Sequence, residues 1–355
     1  MRKLACLLMI SPLIVALSAC GGDSGTRINT DSNPTTPVNR NIGNAVKTRG
    51  QLICGVSGEL PGFSFVGTDG KYNGIDVDVC RAVAAALFDN PDAVEYRNLN
   101  AKERFTALQT GEIDLLSRNT SWTLSRDTSV GLDFAPVVFY DGQAIMVRKN
   151  SGIKSLNDLK DKAICAQTGT TTEQNLADQM RKRSINYKPV VFEDINITFA
   201  TYSEGRCDGV TADRSALVSR RTTLPKPDDN VILDELLSSE PLAPAVAKGD
   251  PQWSNVVKWV VYALAKAEEL GINSQNIAQF ANSNDPEIKR FLGTEGNLGE
   301  GLGLTNDFAA RIVKHVGNYG EIYDRNLGTK TKLNLPRGQN QLYTKGGLLY
   351  SPPFR

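Results

Sequence analysis

The chain has 355 residues, 40% of them hydrophobic, enough for more than one packed core and unlike a fibrous or wholly disordered protein. Its 40 basic and 39 acidic residues leave a formal charge of +1, so no global field favours nucleic acid or an anionic membrane as a partner. One histidine, His315, leaves few routes to histidine-based metal binding or Ser-His catalysis, and neither a metal site nor a cofactor is expected.

The amino terminus has a basic start, Met1-Arg2-Lys3, followed by an apolar run from Leu4 to Leu17 that is too short to span a bilayer comfortably. Residues 1–19 therefore read as an export signal. They close with Leu17-Ser18-Ala19-Cys20 before Gly21-Gly22, a pattern that resembles a bacterial lipobox, in which Cys20 becomes the lipidated first residue. The alternative is ordinary cleavage beside an incidental cysteine. Residues 20–44, rich in Gly, Asn, Thr, Ser and Pro, read as a flexible tether. Export puts Cys54, Cys80, Cys165 and Cys207 in an oxidising compartment. Three pairings are open. Chain order favours Cys54 with Cys80 and Cys165 with Cys207, each within one βα region, at roughly 3 to 4 kcal/mol apiece in the chain-entropy model.

Alternation of Leu52, Cys54 and Val56 predicts a first strand running into the loop SGELPGFSF. Ile75, Val79, Val83 and Leu87 have helical spacing, with Asp76 and Asp78 read as surface charges favoured by the helix dipole. Next, ERFTALQTGEIDLL reads as a short helix ended by Gly111 and a strand from Ile113 to Leu116. The stretch from Ser117 to Phe134 thus leaves a strand's carboxyl end, where open α/β sheets put their ligands. Arg126, set there among hydroxyls, offers a planar fork that bonds both oxygens of a carboxylate.

The run VVFYDGQAIMV reads as two strands joined through a bend at Asp141-Gly142, suited to crossing between domains. A buried strand from Ala163 to Ala166 leads into QTGTTTEQNLADQM, where Thr170 and Glu173 have capping-box spacing. Such a helix start can seat an anion, or be no more than a helix start. Further on, TFATYSEGRCDGVTAD repeats the logic of RFTALQTGEIDLLSR: Phe199 and Phe105 each stand six residues before a glycine, and Asp208 and Asp114 follow those glycines by three. This weak repeat suggests two similar α/β lobes sharing a cleft. It places Asp213 where an acid can take an ammonium, the alternative being an N-cap for the following helix. Glu240 to Lys248, punctuated by prolines, is a second candidate crossing. Trp253 to Leu270 reads as an amphipathic helix, the glycines from 296 to 303 as a turn, and the tail after Tyr319 as packing back on the first lobe.

From about Gly50 to Arg355 the chain resembles the periplasmic solute-binding proteins of general L-amino-acid ABC transporters, solute-binding protein family 3. The resemblance is carried by GIDVDVCRAVAAALF, RFTALQTGEIDLLSRNTSWTLSRDT, CAQTGTTTEQNLAD, EGRCDGVTADRSAL, VGNYGEIY and GGLLYSPPFR. It implies a two-lobed α/β fold of the type II periplasmic-binding-protein kind, with two crossing strands. The lobes would comprise residues 45–140 with 246–355, carrying the tail, and residues 141–245. By the same resemblance Arg126 binds the ligand α-carboxylate with Thr171 as the second lobe's donor. Asp213 takes the α-ammonium, assisted by the Asn119 carbonyl and by Ser121. Gln167 and Thr170 line that wall, and Ser57, Leu60 and Phe63 face the ligand side chain; Leu60 stands where many relatives have an aromatic ring.

The function this implies is binding of free L-amino acids in the periplasm and delivery to an inner-membrane permease by hinge closure. The protein is expected to be a monomer that touches the membrane only through its lipid, and not an enzyme. Two other readings share the fold. One is an amino-acid sensor for a signalling partner. The other is a dehydratase-like enzyme, which would need a pocket acid, and only Glu59 and Glu173 are unassigned near the loops concerned.

Overall fold

The computed structural model describes residues 40–355. The export signal, Cys20 and the tether up to residue 39 lie outside the described residues. Residues 42–44, read above as the end of the tether, instead open the helix Ile42–Arg49. The Asp250 carboxylate holds them to the body by accepting the Ile42 and Gly43 N–H groups at 2.7 and 3.2 Å.

In chain order the strands are β1 (Leu52–Val56), β2 (Glu59–Leu60), β3 (Ser64–Val66), β4 (Tyr72–Asn73), β5 (Val94–Asn98), β6 (Leu115–Leu116) and β7 (Leu132–Phe134). They continue with β8 (Phe139–Arg148), β9 (Ala163–Gln167), β10 (Lys188–Phe192), β11 (Gly209–Asp213), β12 (Asn230–Ile232), β13 (Ser238–Leu242) and β14 (Ala245–Ala247). The first lobe is built on a sheet of order β5-β1-β6-β14-β7, the second on β10-β9-β11-β8-β12, and β2 to β4 form a small ribbon beside the first. β1 runs parallel to β5 and β6, and β9 parallel to β10 and β11, so each lobe has a doubly connected α/β centre.

The two lobes meet through β8 and β13. The stretch read as two strands around a bend is one ten-residue strand. Its first half pairs with β13 from Phe139–Leu242 to Gln143–Ser238, and its second half pairs with β11 and β12. Phe139 and Leu242 belong to the first lobe's core, and Ile145 and Val147 to the second's. The chain returns to the first sheet at β14 and forms the helix Pro251–Glu269, whose Trp253 indole donates to the Asp114 carbonyl at 2.9 Å. The tail closes on this lobe: Phe354 packs edge-on to Trp259, and the Asn340 amide bonds both Tyr140 N and O.

Cys54 is joined to Cys80 and Cys165 to Cys207. The first bond ties β1 to the helix Ile75–Phe88, the second ties β9 to the turn before β11. The repeated aspartates have a shared task. Asp114 accepts the Ile53 N–H and Asp208 the Ala163 N–H, both at 2.8 Å, so each pins the start of its lobe's first strand.

Asp76 and Asp78 correct the surface-charge expectation, for both are buried. Their helix starts at Gly74, whose φ of +126° and contact with the Phe63 carbonyl leave no room for a side chain. Asp78 accepts from Arg325 Nε (2.9 Å) and Asn326 Nδ2 (2.6 Å), while Asp76 accepts the Asn119 N–H at 3.0 Å. Burial pushes the Asp76 carboxyl up to about 6. These partners lie far along the chain, so the dipole argument alone could not anticipate them.

Candidate functional site

The carboxyl ends of β6, β9 and β11 converge on a cavity of about 40 Å³ between the lobes, room for on the order of three water molecules. Lobe one contributes Arg104, Arg118, Asn119 and Ser121, and lobe two Gln167, Thr170, Thr171 and Asp213. Ile195, Phe199, Ala212 and Ala216 give the second wall an apolar side. The lobes are closed on each other. Lys102 Nζ pairs with Glu193 at 2.6 Å, Asn196 Nδ2 donates to Glu59 Oε1 at 2.9 Å, and Ser219 Oγ donates to the Pro61 carbonyl at 2.7 Å. Gly169, at φ +77°, lets the second lobe approach so closely that a Cβ there would meet Lys102 Cα at 3.2 Å.

Arg126 stands directly behind this wall. Thr123 caps its short helix Leu124–Thr128, and Arg126 Nη1 donates to the Ser121 carbonyl at 2.7 Å. It is 6% exposed and lies 5.0 Å over the Phe105 ring, which Arg104 also faces at 4.7 Å. One aromatic ring therefore seats two guanidinium groups side by side. Burial pushes Arg126 below the ordinary arginine value, and the charges of Glu240 and Asp213 oppose that shift.

Asp213 ends β11 at the N-cap position of the helix Arg214–Arg221 but makes no side-chain cap bond. Asp141 does that work, accepting the Ser215 N–H at 3.3 Å and the Ser215 hydroxyl. The capping alternative is thereby taken by another acid. Burial, with Asp141 and Glu240 nearby, holds the Asp213 carboxyl well above the usual range, and burial pushes Asp141 up to about 6. An ammonium beside Asp213 would reverse that cost.

Asn119 has left-handed φ of +29°, fixed by its N–H bond to Asp76. Thr170 caps the helix Thr171–Lys182, accepting the Glu173 N–H at 3.1 Å. The expected capping box is half formed, since Glu173 turns to Gly169 N and Thr168 Oγ1, both at 3.0 Å. The Gln167 amide donates to the Glu193 carbonyl at 2.8 Å. Ser57, Leu60 and Phe63 do not line this cavity. Leu60 and Phe63 are in the first lobe's core, where Phe63 meets Phe139 edge-on at 5.3 Å, because Ile75 N and Asp76 N bond the Gly62 and Phe63 carbonyls and fold the loop back. Ser57 is tied by its N–H to Ser64 Oγ at 2.9 Å.

Sequence reasoning gave no role to Glu240. It is 2% exposed on β13, and its Oε2 accepts from the Ser121 and Thr171 hydroxyls, the latter at 2.9 Å. Its Oε1 accepts from Asn175 Nδ2 at 2.8 Å. A carboxylate already sits where hydroxyls from both lobes point.

Two α/β lobes on a two-stranded crossing, with a polar cavity between the carboxyl ends of their strands, define a cleft-type binder of small solutes. The comparisons name the family. The chain belongs to the bacterial extracellular solute-binding proteins, family 3, whose model matches residues 52–276. It is similar to the general L-amino acid-binding periplasmic protein AapJ of Rhizobium johnstonii, 53% identical over 312 residues that cover 87% of this chain and 92% of that one. The glutamate/glutamine/aspartate/asparagine-binding protein BztA of Rhodobacter capsulatus is 49% identical over 311 residues, covering 87% and 92%. A solved periplasmic binding protein from Brucella ovis with glutathione bound superposes with a TM-score of 0.86 at 49% identity, over 88% of this chain and 98% of that one.

Proposed function

We propose that the protein binds free L-amino acids in the periplasm and delivers them to an ABC transporter permease, by closing its lobes around the amino-acid zwitterion. The observation that carries this reading is one cavity in which Asp213 and the start of the helix Thr171–Lys182 face Asn119 and Ser121, with Arg126 immediately behind. Arg126, Ser121 and Thr171 take the carboxylate, and Asp213 with the Asn119 carbonyl takes the ammonium. No bond is made or broken. Glu59 and Glu173, the acids that an enzyme would need, are held by Asn196 and by Gly169 outside the cavity wall.

Closure follows from the pairing. Each lobe offers half of the partners, so a ligand stabilises the closed form by what it gains from the second half. The names of the relatives support amino acids as the ligand class. Glutathione fits the same chemistry, because its γ-glutamyl residue keeps a free α-amino-acid head, although the cavity here would have to widen for it. A lipid on Cys20 would keep a monomeric protein at the membrane beside its permease. A thermal-shift screen of the twenty amino acids tests the reading: a ligand at a hundred times its Kd adds about 2.7 kcal/mol of stability. If none raises Tm, zwitterion binding is wrong.

A further inference from the structure

We infer that Arg104 forms a side-chain subsite, receiving the carboxylate or carboxamide oxygen at the end of a short ligand side chain. This rests on the zwitterion reading and extends it. Arg104 lines the cavity and is 3% exposed. Its Nη1 donates to Thr120 Oγ1 at 3.2 Å and, at 3.4 Å, to the Arg118 carbonyl, while its Nε has no partner. Among the described residues no carboxylate makes an ion pair with Arg104 or with Arg118, and Arg118 Nε is already taken by the Leu99 carbonyl at 2.8 Å.

A buried guanidinium without a carboxylate is expensive, and removing an acid from such a pair usually leaves the remaining charge strongly destabilising. Here the missing partner would have to come from the cavity. The zwitterion brings one charge of each sign for Arg126 and Asp213, so its head group leaves Arg104 uncompensated. A second carboxylate, or an amide oxygen, supplies what is lacking. The opposite wall suits the connecting methylenes, since Ile195, Phe199 and Ala216 are apolar. The seat is also rigid, because the Phe105 ring holds Arg104 beside Arg126. Two guanidinium groups at a fixed spacing read two acceptor groups of one small molecule.

Calorimetry on the full-length protein compares glutamate and glutamine with norvaline, which has a side chain of similar reach and no polar end. The wild-type protein should bind glutamate or glutamine roughly 10- to 100-fold more tightly than norvaline. Arg104→Met should remove most of that difference and leave norvaline within about threefold of its wild-type Kd, a selective loss that a structural role would not produce. The wild-type series stands even if the variant fails to fold. Equal binding of all three by the wild-type protein, or an equal loss of all three in Arg104→Met, overturns the subsite while leaving the zwitterion reading intact. Absence of binding by every amino acid overturns both.

Discussion

Replacing Asp213 by asparagine should move affinity and stability in opposite directions. In the ligand-free protein the Asp213 carboxyl is buried near Asp141 and Glu240, and all three influences disfavour its charge. It makes no cap bond, so an isosteric neutral amide loses little and relieves repulsion. The ligand-free Tm at neutral pH should therefore hold or rise. With a ligand bound, the same change leaves an ammonium desolvated and unpaired, at a cost of roughly 3 to 5 kcal/mol. That corresponds to a Kd raised by about two to three and a half orders of magnitude. Calorimetry with the amino acid giving the largest thermal shift, alongside melts without ligand, reads both quantities. A Kd within about threefold of wild type would refute the ammonium role, and a fall in ligand-free Tm would show that Asp213 is a structural residue.

Serine at both Cys54 and Cys80 removes a link between residues 26 apart and should lower stability to urea by about 3.5 kcal/mol; a loss below about 1 kcal/mol would contradict the chain-entropy estimate. Asp76 carries a signed pH effect. Its carboxyl ionises near 3.8 when unfolded and at about 6 when folded, so its stabilising proton is fully held below the first value and lost as pH rises through the second. Asp76→Asn should flatten the decline of stability between about pH 4 and pH 7 by roughly 3 kcal/mol, measured by urea unfolding at each pH; an unchanged slope would count against a buried carboxyl. Gly169→Ala should weaken ligand binding by about tenfold, because left-handed strain costs roughly 1 to 2 kcal/mol and the new methyl meets the Lys102 backbone only when the lobes are together. Small-angle scattering with saturating ligand would show a less compact particle than wild type; identical profiles and Kd would mean that the contact yields.

The features legible in the sequence are those with local signatures. Thr170 announces its helix by residue type and spacing, and the glycine-aspartate repeat marks two equivalent places where a strand is pinned. Arg126 and Asp213 stood out through their neighbours and through family likeness, and the structure brings them to one region. Glu240 was hidden. An acid between serine and proline in an extended segment looks solvated, and its partners Ser121, Thr171 and Asn175 are 119, 69 and 65 residues away. Arg104 was passed over for the same reason, since nothing in a short helix tells that a guanidinium faces inward. Leu60 and Phe63 failed differently: a loop next to a cleft offers two sides, and the backbone bonds from Ile75 and Asp76 turned these side chains to the core.

The pairing of β8 with β13 has a mechanical meaning. Hydrogen-bonded from Phe139–Leu242 to Gln143–Ser238, the crossing is a torsion bar, stiff against splaying and compliant to twist. Neither disulfide spans it, and the Asn340 amide clamps it at Tyr140, so deformation concentrates in a few residues. The jaws then travel along a single coordinate, and a receptor touching both of them needs to read one angle. Spin labels placed on opposite jaws should report two narrow distance populations, whereas a broad continuum would show that the bar is a loose joint.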